Sequence, residues 1–202
     1  MIIVQAREGG TRLPGKVLKE INGKPLIGYL AERLDLTEMD WVVAWAHNYP
    51  EVDENDVAGR FRCVLKESRA RWFVRVCADS PLLDPALINA ACWLFRETGA
   101  KLVSNPGYPH GQQVEVIDTK WFLECEPKMA DPRDREHVTA CLYKTDPDDW
   151  ITFSPGASYN TWPKLAVDTP EDFARMERII GRMTRDHTEY NWLECVELAR
   201  DA

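Results

Sequence analysis

Three basic side chains and several glycines follow the first apolar segment of the chain. Arg7, Arg12 and Lys16 lie in one short loop, together with glycine or proline at positions 9, 10, 14 and 15. Glycine lets backbone N–H groups approach an anion closely, and fixed cations neutralise the charge of that anion. The loop therefore predicts a binding site for a polyphosphate.

The spacing from Gly10 to Lys16 fits most of the phosphate-binding signature G-x-x-x-x-G-K-[ST]. Val17 stands where that signature needs a hydroxyl for magnesium. No G-x-G-x-x-G follows the first strand, which argues against a dinucleotide-binding loop. From this loop alone, a glycine-rich turn with solvated basic residues remains an alternative interpretation.

Two aspartates come directly after apolar segments that read as strands. They are Asp79, after the segment ending at Cys77, and Asp168, after Leu-Ala-Val. Carboxylates at the ends of two strands of one sheet can converge on a cation, and magnesium prefers one or two such ligands plus phosphate oxygens. An aspartate in this position is also a common helix cap, and for Asp168, followed by Thr169 and Pro170, both interpretations stay open.

Short apolar segments alternate with helical patterns, which predicts a parallel sheet that binds ligands at the carboxyl ends of its strands. The predicted strands cover residues 1–4, 41–46, 71–77, 101–104, 114–117, 150–153 and 164–167. The first predicted helix begins near residue 25. The later predicted helices cover residues 56–68, 86–97, 119–128, 135–144, 170–183 and 189–199. Asn22-Gly23 predicts a tight turn.

Length and charge indicate what class of protein this is. The chain has 202 residues, which predicts a single domain that spans residues 1–202. Its net charge of −8 argues against a nucleic-acid partner. No window reaches the ~18 apolar residues of a membrane span, and no basic cleavable segment opens the chain, so we expect a cytoplasmic protein without a membrane partner. Six scattered cysteines predict reduced thiols, and most of the eight tryptophans read as core, Trp162 least clearly.

Residues 5–18, QAREGGTRLPGKVL, resemble the opening Q-A-R-x-G-S-T-R-L-P-G-K-V-L of a cytidylyltransferase family. This family contains the SpsF-type spore coat polysaccharide proteins and the acylneuraminate and KDO cytidylyltransferases. The likeness continues in the same order through ENDVAGRF, RVCADSPLLDPALI, YPHGQQVEV, DREHVT and VDTPEDFARMERI. The chain is therefore identified as a member of that family.

The resemblance implies that a sugar hydroxyl attacks the α-phosphate of CTP and that pyrophosphate leaves. Positioning and charge neutralisation dominate such a transfer. By resemblance, the catalytic residues are Arg12, Lys16 and Asp79, and Asp79 and Asp168 are ligands of a Mg²⁺ cofactor. The residues that match the nucleotide-binding loop are Ala6, Arg7, Gly9, Gly10, Arg12 and Lys16.

Two later blocks match places where the family builds its sugar pocket and subunit contacts. They assign substrate contacts to Gly111, Glu115, Arg135 and Glu136, and they imply a sugar or sugar-acid substrate beside CTP. His137 reads as a packing or capping residue rather than a catalyst. Because family members commonly dimerise, a homodimer is a further expectation.

The predicted fold is α/β, a three-layer α/β/α sandwich with a mixed, mostly parallel sheet of the nucleotide-diphospho-sugar transferase type. The chain departs from the family pattern at Glu8, Gly10 and Gln113. Residues 47–54 stand where family members have about one further αβ unit, so the chain is expected to lack that unit. These departures keep two alternatives open. One is a glycosyltransferase that binds a finished sugar nucleotide, and the other is a degenerate, non-catalytic nucleotide-binding or scaffold protein.

Overall fold

The first strand is apolar on both of its faces. Ile2 and Val4 belong to one apolar core, whereas Ile3, between them, belongs to another, and all three are buried. Successive side chains of a strand point to opposite faces of the sheet. The sheet therefore separates two cores, as a three-layer sandwich requires.

The computed structural model of the chain describes residues 1–6, 9, 12–145, 147–156, 162–200 and 202. The strands it describes are β1 (Ile2–Gln5), β2 (Glu20–Ile21), β3 (Lys24–Pro25), β4 (Trp41–Ala44), β5 (Trp72–Cys77), β6 (Leu102–Ser104), β7 (Glu115–Asp118) and β8 (Trp150–Thr152). Six of them form a sheet of order β4-β1-β5-β7-β6-β8. β1 pairs in parallel with β4 and β5, and β6 pairs in parallel with β8, whereas β7 runs antiparallel to β5 and β6. The predicted mixed sheet is confirmed.

Helices cover both faces of this sheet. They are α1 (Leu26–Asp35), α2 (Val57–Ser68), α3 (Pro85–Thr98), α4 (Thr119–Cys125), α5 (Pro132–His137), α6 (Pro170–Gly181) and α7 (Trp192–Arg200). α1 and α3 pack on one face, and α2 and α4 pack on the other. α6 and α7 form a third apolar cluster with α1 and the β2–β3 hairpin. Among the described residues, no helix combines the length and apolar character needed to cross a bilayer.

The predicted tight turn joins β2 to β3. Asn22 and Gly23 both have positive φ, +52° and +77°. A two-residue hairpin of this type needs positive φ at both central positions, which asparagine and glycine tolerate. The resulting hairpin supports the amino-terminal end of α1, since the Leu26 N–H donates to the Lys19 carbonyl at 3.0 Å.

The strand predicted at residues 164–167 does not form. The Leu165 N–H donates to the His110 carbonyl at 2.7 Å, and the Val167 N–H donates to the Asp79 carbonyl at 2.9 Å. These bonds go to two separate loops, so the segment does not join the ladder of any one strand. It crosses the carboxyl-end edge of the sheet instead and leads into α6.

The helix predicted at residues 135–144 is interrupted after His137. Val138 has φ +61° and ψ −53°, and the Thr139 N–H donates to the His137 carbonyl at 2.6 Å, which together form a γ-turn. This backbone costs a β-branched residue about 1–3 kcal/mol. Val138 is fully buried in the core that contains α2 and α4, so packing holds the turn in place.

One buried arginine joins α1 to the segment before α7. Arg33 is fully buried, and its Nε donates to the Leu83 carbonyl at 2.8 Å. Its two terminal nitrogens donate to the carbonyls of His187 and Tyr190. Backbone oxygens therefore satisfy the guanidinium where the first helix meets the carboxyl-terminal segment.

Candidate active site

The register of the sheet brings the basic loop and Asp79 to one edge. β1 and β5 are parallel neighbours, with Gln5 opposite Cys77, so their carboxyl ends coincide. The basic loop begins after Gln5, and Asp79 lies two residues beyond Cys77. Asp168 reaches the same edge because the N–H of Val167, the residue before it, donates a hydrogen bond to the Asp79 carbonyl.

Lys16 lies between the two aspartates predicted to hold a metal. Its Nζ is 2.7 Å from Asp79 Oδ2 and 2.8 Å from Asp168 Oδ1. The three side chains are 15–25% exposed, so they are shielded but still reached by solvent. Gly15, with φ +63°, lets the chain turn directly before Lys16.

A second lysine, which the sequence interpretation did not single out, holds the outer side of Asp168. Lys164 Nζ is 2.7 Å from Asp168 Oδ2 and 2.5 Å from Asp172 Oδ2. Asp172 also accepts from the N–H groups of Asp168 and Thr169, and the Thr169 hydroxyl accepts from the Asp172 N–H, which completes a capping box for α6. Asp168 is thus fixed at the start of a helix without being its N-cap, because the N-cap of α6 is Thr169 and Asp172 completes the capping box.

These contacts keep Asp168 ionised. Burial by itself favours the neutral carboxyl group, but hydrogen bonds from Lys16 and Lys164 outweigh it and hold the pKa of Asp168 well below its usual range. Burial lowers the pKa of Lys16, yet Asp79 and Asp168 more than compensate and raise it. Lys16 and Asp168 are therefore both ionised at neutral pH.

The rest of the predicted nucleotide loop is described in part. Arg12 is 67% exposed, with one terminal nitrogen 3.5 Å from Asp168 Oδ1, which leaves it free to turn toward a ligand. The Gly9 N–H donates to Glu54 Oε1 at 3.1 Å, so this backbone amide already binds an anionic group. Ala6 is buried in the core at the end of β1. Arg7, Glu8 and Gly10 lie outside the described residues.

A cavity of about 710 Å³ opens at this edge. Its lining includes Arg12, Lys16, Asp79 and Asp168, and we call this part of the cavity the nucleotide end, after the use that the sequence predicts for it. The remaining lining, which contains predicted substrate residues, is called the acceptor end for the same reason and includes Gln5, Arg75, Asn105, His110, Gly111, Gln113, Glu115, Glu136, His137 and Tyr143. No tryptophan is among the described residues of the lining, and Trp162 packs against Trp192 instead.

A shielded ion pair lies at the acceptor end. Arg75 NH1 donates to Glu115 Oε2 at 2.5 Å, and its Nε and NH2 both donate to Gln5 Oε1. The Glu115 carboxylate also accepts from the hydroxyls of Thr139 and Tyr143. Glu115, predicted to touch substrate, therefore has three donor groups within the protein before any ligand arrives.

Gly111, also predicted to touch substrate, supports the segment that carries Asp168. Its φ is +102°, and a Cβ at this position would lie 2.5 Å from the Leu165 carbonyl carbon and 2.6 Å from the Ala166 nitrogen. Only glycine allows the two backbones to come this close. Gly111 thus lines the cavity and also fixes the path of residues 165–168.

The block DREHVT divides between the cavity and the outer layer. Glu136 and His137 line the acceptor end. Arg135 is not among the lining residues, because its guanidinium is 2.8 Å from Asp56 and 2.6 Å from Glu126. It joins α5 to α2, so the structure does not place it with the other predicted substrate residues.

Arg75, Gln5 and Lys164 were missed, although weak signals for two of them exist in the sequence. Arg75 is a lone cation inside the apolar strand segment FVRVC, and buried arginines are almost always paired. Lys164 precedes Asp168 by four residues, but that spacing is informative only within a helix. Cys77, at the same strand end, is half-buried, and desolvation raises the pKa of its thiol to about 11, so it offers no thiolate near neutral pH.

The donor set at the nucleotide end fits a hard divalent cation. No group of three or more histidine, cysteine or acidic side chains with metal-site geometry occurs among the residues described above. Asp79 and Asp168 nevertheless present two carboxylates to one ammonium group, which shows that both can reach a shared cation. Magnesium needs no more than one or two carboxylates when phosphate oxygens supply further ligands.

Comparison with known proteins agrees with this geometry. The cytidylyltransferase family profile matches residues 1–45. A 3-deoxy-manno-octulosonate cytidylyltransferase from Polynucleobacter necessarius is 30% identical over 244 residues, covering 90% of this chain and 96% of the relative. The spore coat polysaccharide biosynthesis protein SpsF of Bacillus subtilis is 24% identical over 205 residues, covering 89% of this chain and 85% of SpsF.

The fold has a solved counterpart of nearly equal extent. A cytidylyltransferase from Leptospira borgpetersenii superposes with a TM-score of 0.88 at 20% sequence identity, covering 99% of this chain and 93% of that structure. The similarity of fold therefore extends through α6 and α7, beyond the profile match. Taken with the full-length sequence likeness, these findings show that the chain belongs to the cytidylyltransferase family.

Proposed function

We propose that this protein transfers the cytidylyl group of CTP to a hydroxyl of a sugar or sugar acid and releases pyrophosphate. One observation carries the proposal at the level of residues. Lys16, Asp79 and Asp168 come from three distant parts of the chain and meet at one end of a cavity of about 710 Å³. Cations and carboxylates arranged in this way suit a metal-bound triphosphate.

The nucleotide end supplies charge neutralisation. Lys16 and Arg12 face the cavity, where they would bind phosphate oxygens and stabilise the leaving pyrophosphate. Asp79 and Asp168 would hold a divalent cation, with Mg²⁺ as our expectation. When bound, such an ion neutralises charge on the phosphates and lowers the pKa of the acceptor hydroxyl.

The acceptor end supplies orientation. Its carboxylate, amide and hydroxyl groups, from Glu115, Gln113 and Tyr143, suit a ligand rich in hydroxyl groups. Arg75 and the two hydroxyl donors fix the orientation of the Glu115 carboxylate. The lone pairs of that carboxylate that remain available to a ligand therefore point in a fixed direction. An acceptor held there would have one hydroxyl directed toward the nucleotide end.

Pyrophosphate release tests the proposal. The wild-type protein with Mg²⁺ is incubated with each of the four NTPs and a panel of sugars and sugar acids, and we expect release with CTP. Lys16→Ala and Asp79→Asn should each reduce the rate about 100-fold or more, the usual size of a lost electrostatic contact in the transition state. Lys120→Ala, at an 86% exposed lysine outside the cavity, should match the wild type.

Two results would contradict the proposal. Full pyrophosphate release by Lys16→Ala would remove the basic loop from the reaction. Consumption of a finished sugar nucleotide without pyrophosphate would show a glycosyltransferase in place of a cytidylyltransferase.

A further inference from the structure

We infer that Lys16 substitutes for the divalent cation while nucleotide is absent, and that nucleotide binding makes room for the metal by drawing Lys16 away from the aspartates. The inference rests on the proposed function, because it concerns the same nucleotide and metal. It predicts that CTP and the metal each raise the affinity of the protein for the other. Without nucleotide, the affinity of the site for the metal must be low.

The ammonium group of Lys16 lies where an ion shared by the two aspartates would lie. Lys16 Nζ contacts one oxygen of each aspartate, Asp79 Oδ2 and Asp168 Oδ1, at 2.7 and 2.8 Å. A magnesium ion binds oxygen at about 2.0–2.1 Å, so an ion shared by these two oxygens would occupy the space that the ammonium group occupies. The two cations exclude each other.

The charges of the cluster do not favour a further cation. Three carboxylates, from Asp79, Asp168 and Asp172, are close to four cations, from Lys16, Lys164, Arg12 and Arg175. The cluster carries no net negative charge, so it attracts a divalent cation only weakly. A bound triphosphate adds several negative charges and offers Lys16 new oxygen partners, which releases the carboxylates.

The two lysines differ in their access to a nucleotide. Lys16 lines the cavity, where a nucleotide can reach it. Lys164 is not among the lining residues and bridges Asp168 to Asp172, whose carboxylate caps α6. Lys164 therefore keeps Asp168 in position and partly neutralised while Lys16 transfers to phosphate.

The experiment measures Mn²⁺ binding to the nucleotide-free protein by electron paramagnetic resonance. Lys16→Met should bind Mn²⁺ about tenfold more tightly than the wild type, within the usual 5–150-fold range of coupling between two ligands. Lys16→Arg keeps a cation between the aspartates and should bind as weakly as the wild type. Lys164→Met removes the same charge from the other side of Asp168 but leaves Lys16 between the aspartates, so its gain in Mn²⁺ affinity should be clearly smaller than that of Lys16→Met.

The outcome that overturns the inference is equal Mn²⁺ affinity in Lys16→Met and the wild type. An equal gain in Lys164→Met would also overturn it, because net charge would then explain the effect. The double variant Lys16→Met/Asp79→Asn should lose the gain, and retention of the gain would place the ion elsewhere. Circular dichroism and thermal melting check folding, and Lys16→Gln serves the same purpose if the methionine variant is unfolded.

These arms separate the inference from the proposed function. Pyrophosphate formation by the wild type with no change of Mn²⁺ affinity in Lys16→Met overturns the inference alone. Absence of pyrophosphate formation from CTP overturns the function, while the Mn²⁺ comparison, made without nucleotide, still decides whether Lys16 blocks the metal.

Discussion

The two ends of the cavity both contain ion pairs, but they hold them differently. At the nucleotide end, Lys16 sits between two partly exposed carboxylates, and each partner has another use in the proposed reaction. At the acceptor end, Arg75 and Glu115 are only slightly less exposed, at 14% and 11%, but they are also hydrogen-bonded to Gln5, Thr139 and Tyr143. An exchange of partners keeps each charge paired and costs little, whereas removal of one partner from a shielded, fully hydrogen-bonded pair strands the other charge. The nucleotide end is therefore suited to change, and the acceptor end to shape.

The largest effect that would sharpen this contrast is loss of the Arg75 cation. Arg75→Met leaves the Glu115 carboxylate buried without its cation, and breaking such a pair costs about 3–5 kcal/mol. Lys16→Met should cost only about 1–2 kcal/mol, because water in the cavity can hydrate the aspartates. Urea unfolding curves measure both differences in free energy of unfolding.

A second variant shows that the Arg75 effect comes from the pair. Arg75→Met/Glu115→Gln removes the stranded charge and should recover part of the lost stability. Equal destabilisation by Arg75→Met and Lys16→Met would break the contrast between the two ends of the cavity.

A smaller effect is expected at Gly111, which links the two ends. In Gly111→Ala the new methyl group would meet the Leu165 and Ala166 backbone at about 2.5 Å and would sit at positive φ, at a cost of about 2 kcal/mol. Because the same backbone leads to Asp168, pyrophosphate release should fall more than stability does. The matched control is Gly99→Ala, also at positive φ but with open space around its Cβ, which should reduce stability without reducing turnover.

The smallest effect is a change in the pH dependence of stability at the nucleotide end. Hydrogen bonds from Lys16 and Lys164 outweigh burial and hold the pKa of Asp168 below its usual range. Its ion pairs therefore contribute fully above the unfolded pKa of about 3.9, and the contribution is lost as pH falls toward the folded value. Asp168→Asn should flatten the decline of unfolding free energy between about pH 5 and pH 2, measured by urea unfolding. Parallel curves for variant and wild type would show that Asp168 gains nothing from the two lysines.

Local patterns predicted the fold class and the centre of the site. The apolar strand before the basic loop, the Asn22-Gly23 turn and the Thr169-Pro170 helix start are signals within a few residues, and each is present in the structure. The position of Asp79 in the cavity was predictable because it follows a strand, and strand ends of one parallel sheet meet.

The features that sequence did not reveal depend on contacts between distant residues. Arg75 and Glu115 are 40 positions apart, and Arg135 turned out to bind Asp56, 79 positions away. The interruption at Val138 arises because burial of that side chain outweighs its backbone preference, which no local propensity records. Lys164 lies in a segment whose apolar character suggested a strand, yet the backbone N–H groups of Leu165 and Val167 in that segment donate to two separate loops.

The three carbonyls around Arg33 have a consequence for any attempt to shorten the protein. Two of them, from His187 and Tyr190, belong to the segment before the last helix. A truncated form ending before residue 187 would leave a permanently charged guanidinium beneath the first helix with donors unsatisfied. Truncation before residue 187 is therefore expected to destabilise the packing of α1 on the sheet, because carbonyls from the far end of the chain satisfy the guanidinium beneath it.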